Sequence, residues 1–152
     1  MNNLTARAAH LRYARVSEPG RIYLITCVTQ RRQPLFDDWH CGRLLAQVLN
    51  EETRRASTLA YVIMPDHLHW LIQLQDNATL GGLMRSVKSI SNWRINRHLQ
   101  RRGSIWETGY QDRALSEEED LLATARHVVA SPLRVGLVTR IGDYPLWDAA
   151  WL

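Results

Sequence analysis

Apolar and polar positions alternate with two different periods along this chain, and the switches between them predict its elements. Arg21 to Thr29 (RIYLITCVT) is β-branched and aromatic and reads as a first strand. Trp39 to Arg55 carries Leu44, Leu45, Val48 and Leu49 at helical spacing and reads as a first helix. Thr58 to Met64 (TLAYVIM) and His67 to Leu74 (HLHWLIQL) read as two further strands, and the short Pro65-Asp66 break between them makes an antiparallel hairpin. Thr79 to about Gln100 predicts a second helix with the apolar stripe Leu80, Leu83, Met84, Val87 and Ile90, ended by Gly103. A short fourth strand is expected within Ser104 to Arg113. Ser116 with Glu119 matches a capping box, so a third helix is expected from there to about Ala130, before Pro132.

The order is that of the ferredoxin-like (RRM-like) α+β fold, β-α-β-β-α-β. It predicts an antiparallel sheet with helices on one face, plus a C-terminal helix and a tail. That tail, Tyr144 to Leu152, contains Trp147 and Trp151 and is expected to pack back on the domain. Residues 1–20 read as a flexible basic N-terminal segment closing in the turn signal Pro19-Gly20, and residues 21–152 as a single domain.

Composition narrows the class. With 152 residues, 45% of them hydrophobic, the chain has enough apolar material for one core. No stretch approaches the roughly 20 apolar residues of a membrane span, so the expectation is a soluble, cytoplasmic protein. The net charge is +4, and Lys88 is the one lysine among 19 basic residues. Arginine's rigid fork matches phosphate oxygens, which suits a nucleic-acid partner. Cys27 and Cys41 have no metal-ligand spacing and read as small reduced thiols.

His67 and His69 are the sharpest local signal. Residues two apart in a strand point to the same face, so both imidazoles project together while Leu68 and Trp70 point the other way. Two neighbouring imidazoles are a natural start for a divalent-metal site, and histidines simply exposed on a sheet face are the alternative. Asp66 is nearby on the turn. On the second helix Arg85, Lys88, Asn92 and Asn96, continued by Arg97, Arg101 and Arg102, form a positive strip that reads as a DNA-binding face or as a solvated one. Trp70 and Trp106 read as core residues, with base stacking as the alternative.

The segment YVIMPDHLHWLIQL resembles the metal-binding hairpin of the single-tyrosine HUH transposases. RIYLITCVTQRRQPLF, that hairpin, SIWETGYQDRALSEEEDL and ARHVVASPLRVGLVTRIGDYPLW follow one another as in the REP-associated tyrosine transposases, over roughly residues 20 to 152.

The resemblance implies a metal-dependent endonuclease and strand transferase acting on single-stranded DNA hairpins, the repeated extragenic palindromes of a bacterial chromosome. It implies a nucleoid-associated protein working as a monomer or homodimer. It assigns a divalent metal, Mg²⁺ or Mn²⁺, to His67 and His69, and DNA contacts to Arg12 and Arg15.

The family's tyrosine, in a Tyr-x-x-x-Asn-Pro pattern, does not carry over. His127 stands at the nucleophile position and Ser131 at that of the polar helper ligand, in His127-Val128-Val129-Ala130-Ser131-Pro132. Three readings follow: an inactive copy that still binds DNA hairpins, a nucleophilic His127, or His127 as a third metal ligand, which would favour Zn²⁺ or another transition metal. Tyr110, in GYQDRAL, is a weaker substitute nucleophile, because the family has an aromatic residue there for packing or stacking.

Overall fold

The computed structural model describes residues 18, 20–116 and 119–150, so Arg12, Arg15 and Trp151 lie outside the described residues. Five strands form one antiparallel sheet in the order β4-β1-β3-β2-β5. β1 is Ile22–Val28, β2 Ala56–Met64, β3 His67–Leu74, β4 Gln111–Ala114 and β5 Trp147–Ala149. The first four have the expected ferredoxin-like arrangement. β5 is an addition: the tail does pack back, and it does so as a short strand on the β2 edge, pairing Val62 with Trp147.

Alternation along β1 and β3 divides the sheet into two faces. Tyr23, Ile25, Cys27, Leu68, Trp70 and Ile72 are buried in one core with two helices, α1 (Trp39–Glu51) and α2 (Leu80–Leu99). Trp70 is fully buried, and its indole nitrogen donates to Thr58 Oγ1 at 2.9 Å, so the polar end of the ring is satisfied. Burial of a side chain as large as Leu68 contributes on the order of 1.5–3 kcal/mol. A one-residue slip of β3 would replace Leu68 and Trp70 in that core with two imidazoles, so packing fixes the register.

The third helix, α3 (Leu121–Val129), covers the opposite face, where Ala125 and Val129 pack on Ala60 and Leu71, and Val128 on Val62 and Met64. The two helices of the ferredoxin-like unit thus share one face, as expected, and the added C-terminal helix covers the other. A second, smaller core holds α3 there, and it also encloses Ala149 of β5.

Several boundaries differ from the periodicity for identifiable reasons. α1 stops at Glu51, short of Arg55, because Arg55 donates to Glu52 and leads into β2. α2 is closed by Gln100 in the left-handed conformation (φ 51°, ψ 47°) rather than by Gly103. Thr79 caps its start, accepting from the Gly82 amide. The capping box at Ser116 does not open α3. The Glu119 carboxylate is drawn to Arg113 at 2.7 Å, and Asp120 becomes the cap, accepting from the Ala123 amide at 3.1 Å. Asp120→Ala should therefore lower stability by about 1 kcal/mol and Ser116→Ala by less than about 0.5 kcal/mol in urea denaturation. Equal losses would contradict this assignment of the cap.

Candidate functional site

β3 emerges from the Pro65-Asp66 turn with His67 paired to Met64 and Val28, and His69 paired to Val62 and Thr26. The turn is anchored by three hydrogen bonds from two residues. The Phe36 amide donates to the Pro65 carbonyl at 3.0 Å, and both the amide and the hydroxyl of the buried Thr29 donate to the Asp66 carbonyl. The two imidazoles stand together on the α3 face, ring centroids 4.8 Å apart and close to perpendicular at 78°.

Each ring has one nitrogen engaged by a neighbour. His67 Nδ1 lies 2.7 Å from Asp66 Oδ1, and a carboxylate there makes the imidazole the donor. His69 Nδ1 lies 3.0 Å from Thr26 Oγ1. With the proton on Nδ1 of both rings, Nε2 of each carries a lone pair. This is how outer partners orient metal-ligating histidines. The donor set therefore fits a divalent cation with His67 and His69 as its imidazole ligands.

Electrostatics point the same way for His69 and against it for the surroundings. Burial pushes the His69 imidazole down to about 4, aided by repulsion from His67, Arg134 and His127, so the ring stays neutral at physiological pH. Burial acts to raise the Asp66 carboxyl, but hydrogen bonds to His67 and Arg32 outweigh it and hold it below its ordinary value. Arg32 reaches Asp66 Oδ2 at 3.1 Å and remains mostly exposed. Arg134 and His127 bring further positive or ionisable groups to the His69 side.

Placement of α3 brings His127 to this region. Its neighbour Val128 is buried against Val62 and Met64, the strand partners of His69 and His67. The His127 ring itself is exposed. It does not complete a compact three-ligand set with His67 and His69. Among the described residues the compact set of His, Cys, Asp or Glu atoms is Asp38, Cys41 and His98, at the junction of α1 and α2.

Ser131 is buried and its hydroxyl is occupied: it donates to the Val128 carbonyl at 2.8 Å and accepts from Arg134 Nη2 at 2.8 Å. Arg134 also donates to the His127 carbonyl, so one guanidinium ties residues 127 and 131 together at the end of α3. Tyr110 is half-buried against the helix-side core and its hydroxyl oxygen is enclosed, as expected of a packing aromatic.

The positive strip of α2 divides. Lys88 Nζ donates to the Glu107 carbonyl at 2.9 Å and to that of Gly109. Asn92 accepts from the Ile105 amide at 2.8 Å and Asn96 donates to the Gly103 carbonyl at 2.6 Å. These three bind the 103–109 loop to the helix. Arg101 donates to Gln33, whereas Arg85, Arg97 and Arg102 are exposed. Arg97 lies over the ring of exposed Trp93, 5.1 Å from its centroid. Trp70 and Trp106 are core residues; the Trp106 indole donates to Ser91 Oγ. Periodicity and spacing did not single out Thr26, Arg32 or Arg134, which border the histidine pair. Arg32 lies 34 residues before Asp66, and neither arginine carried a local signal beyond its charge.

The family model described as "Transposase IS200 like" matches residues 20–126, spanning both histidines and ending one residue before His127. A "Putative REP-associated tyrosine transposase" of Haemophilus influenzae is 24% identical over 88% of this chain and 82% of its own length. Among solved structures, a REP-associated tyrosine transposase bound to a REP hairpin is similar with TM-score 0.69 and 19% identity, over 89% of this chain and 80% of that one. A "putative transposase" of Deinococcus radiodurans R1 is similar with TM-score 0.53 and 18% identity, over 70% of this chain and 85% of that one. No described helix is long and apolar enough to cross a membrane.

The lowered His69 value has a checkable sign. Between about 6.5 and about 4 the unfolded chain takes up the proton that folded His69 refuses. Its contribution to stability is therefore complete above 6.5 and falls as pH drops through that window. In metal-free protein, ring-carbon NMR should show His69 neutral at about pH 6, and a midpoint near 6.5 would contradict the buried environment described here.

Proposed function

Because this chain belongs to the IS200-like transposase family, with a model match across residues 20–126, we propose that it is a single-stranded DNA-hairpin binding protein whose His67–His69 pair holds a divalent cation, and that it does not form the tyrosyl–DNA link. The observation that carries the second part is the end of α3. Residue 127 is an imidazole, and the residue 131 hydroxyl is used inside the protein by Val128 and Arg134. The DNA partner is proposed by analogy with the hairpin-bound transposase of similar fold. The cation would be Mg²⁺ or Mn²⁺, and when bound it would polarise a phosphate oxygen.

The chain's own residues fit phosphate binding. Arg32 is anchored by Asp66 on one side of the histidines, and Arg134 is anchored by Ser131 and the His127 carbonyl on the other. Both guanidiniums are held by the protein rather than free to wander, which reduces the ordering cost of gripping a phosphodiester. A cleft lined by Thr26, Val28, Glu107, Tyr110 and Gln111 borders His69 through Thr26. Thr26 and Asp66 position the imidazoles, Arg32 and Arg134 hold the strand, and exposed Arg85 and Arg97 on α2, with Arg102 just beyond it, add non-specific attraction.

The second reading, an active endonuclease and strand transferase, needs an attacking group. His127 is its strongest candidate, being exposed and beside the histidine pair; attack by a ring nitrogen would form a phosphohistidine bond as the scissile P–O bond breaks and the 3′ oxygen leaves as a hydroxyl. The buried Tyr110 hydroxyl does not favour that residue.

A denaturing gel with a labelled hairpin oligonucleotide and Mn²⁺ separates the readings. The native chain should shift the hairpin under native conditions and leave no denaturant-stable adduct. An acid-stable adduct would overturn the proposal, and an acid-labile one would replace it with the second reading, histidine being the attacking group. The His127→Tyr, Ser131→Asn double variant should acquire the adduct if the two missing groups are the whole deficit. Charge reversal at Arg32 or Arg134 should weaken hairpin binding. It should also flatten the salt dependence by about 0.7–0.9 in log K against log salt for each phosphate no longer neutralised. An unchanged slope would remove that arginine from the DNA interface.

A further inference from the structure

Asp38, Cys41 and His98 lie apart from the histidine hairpin and have no role in the function proposed above. Their ligand atoms all fall within 4.8 Å of one another. Asp38 is the N-cap of α1, Cys41 lies in the first turn of that helix, and His98 lies in the last turn of α2. The fold thus joins groups that sequence spacing separates by 60 residues.

The Asp38 carboxylate divides its work. Oδ1 accepts from the His40 amide at 2.9 Å and caps α1, while Oδ2 faces His98 Nε2 at 3.2 Å. Cys41 is fully buried and forms a floor, with Asp38 and His98 exposed at the rim. A second imidazole stands beside them: the His40 and His98 ring centroids are 4.1 Å apart.

We propose that Asp38, Cys41 and His98 form a second metal site, distinct from His67 and His69, for a transition-metal cation of the Zn²⁺ class. A thiolate, an imidazole and a carboxylate suit such a borderline cation, whereas Mg²⁺ and Ca²⁺ take oxygen ligands. Ligand–metal distances of about 2.0–2.3 Å in a tetrahedron place ligand atoms about 3.3–3.8 Å apart. The observed 4.8 Å limit is therefore closed by small side-chain rotations. His40 or a water takes the fourth position. Binding forms the metal–sulfur bond and releases the Cys41 thiol proton to solvent. Burial, with Asp38 beside it, pushes that thiol up to about 12, so the cation must displace a proton to gain the sulfur. The N-terminus of α1 and Arg101 oppose a cation, while the Asp38 carboxylate and the Cys41 thiolate supply two negative charges against them. The bound ion would clasp the start of α1 to the end of α2 and stabilise the folded state by mass action.

Co²⁺ added to the full chain is the test. One equivalent should give the near-ultraviolet thiolate-to-cobalt absorption and raise the melting temperature. The band should persist in a His67→Ala, His69→Ala double variant and disappear in Cys41→Ser and in His98→Ala. His98 is exposed, so its variant should keep the native circular dichroism even if Cys41→Ser fails to fold. Absence of the band at millimolar Co²⁺, its survival in His98→Ala, or its loss on removing His67 and His69 would each overturn the proposal. None of these outcomes bears on hairpin binding, which is read separately.

Discussion

The registration of β3 between β1 and β2 is the constraint on which the rest of the molecule depends. Leu68 and Trp70 must enter the core beneath α1 and α2, and the two-residue period of a strand then obliges His67 and His69 to face α3. The Trp70–Thr58 hydrogen bond and the Thr29 clamp on the Asp66 carbonyl hold the same registration from two ends of the hairpin. Stability and site geometry are therefore one problem. A change that lets β3 slide would both bury imidazoles and disperse the pair.

The proposed function places two opposing demands on the surroundings of that pair. A cation needs neutral imidazoles and nearby anions, and the structure supplies the first through burial of His69 and one of the second through Asp66. A phosphodiester needs positive charge, which Arg32 and Arg134 supply. The Arg32–Asp66–His67 chain links both demands, since the carboxylate that orients one imidazole also anchors a guanidinium. The Arg134 hydrogen bonds to residues 127 and 131 make the end of α3 a self-satisfied cap rather than a set of groups directed at a substrate.

How much of this was legible in sequence depended on range. The alternation in RIYLITCVT and HLHWLIQL reported β1, β3 and the facing of the histidine pair, because a strand's side-chain period is a local property. The α1 and α2 stripes were equally legible. The opposite-face position of α3 was not, since an amphipathic helix records that it packs but not on which side of a sheet. Short β5 had no room to display alternation. Lys88, Asn92 and Asn96 read as a DNA-binding or solvated strip from their spacing, and their bonds to four backbone groups of the 103–109 loop had no local signal. Cys41 looked isolated because His98, which joins it and Asp38, arrives from α2. The resemblance to the transposases supplied what periodicity could not, a reason to compare His127 with a tyrosine.

The proposed cation site at His67 and His69, whose rings Asp66 and Thr26 engage, stands at the centre. Paramagnetic relaxation by Mn²⁺ measures it most directly. Titrated into protein with assigned histidine side chains, substoichiometric Mn²⁺ should broaden the His67 and His69 ring signals together and ahead of the His127 ring. If both rings remain sharp at saturating Mn²⁺, or only one of them responds, the pair is not a shared cation site and the account fails at its base.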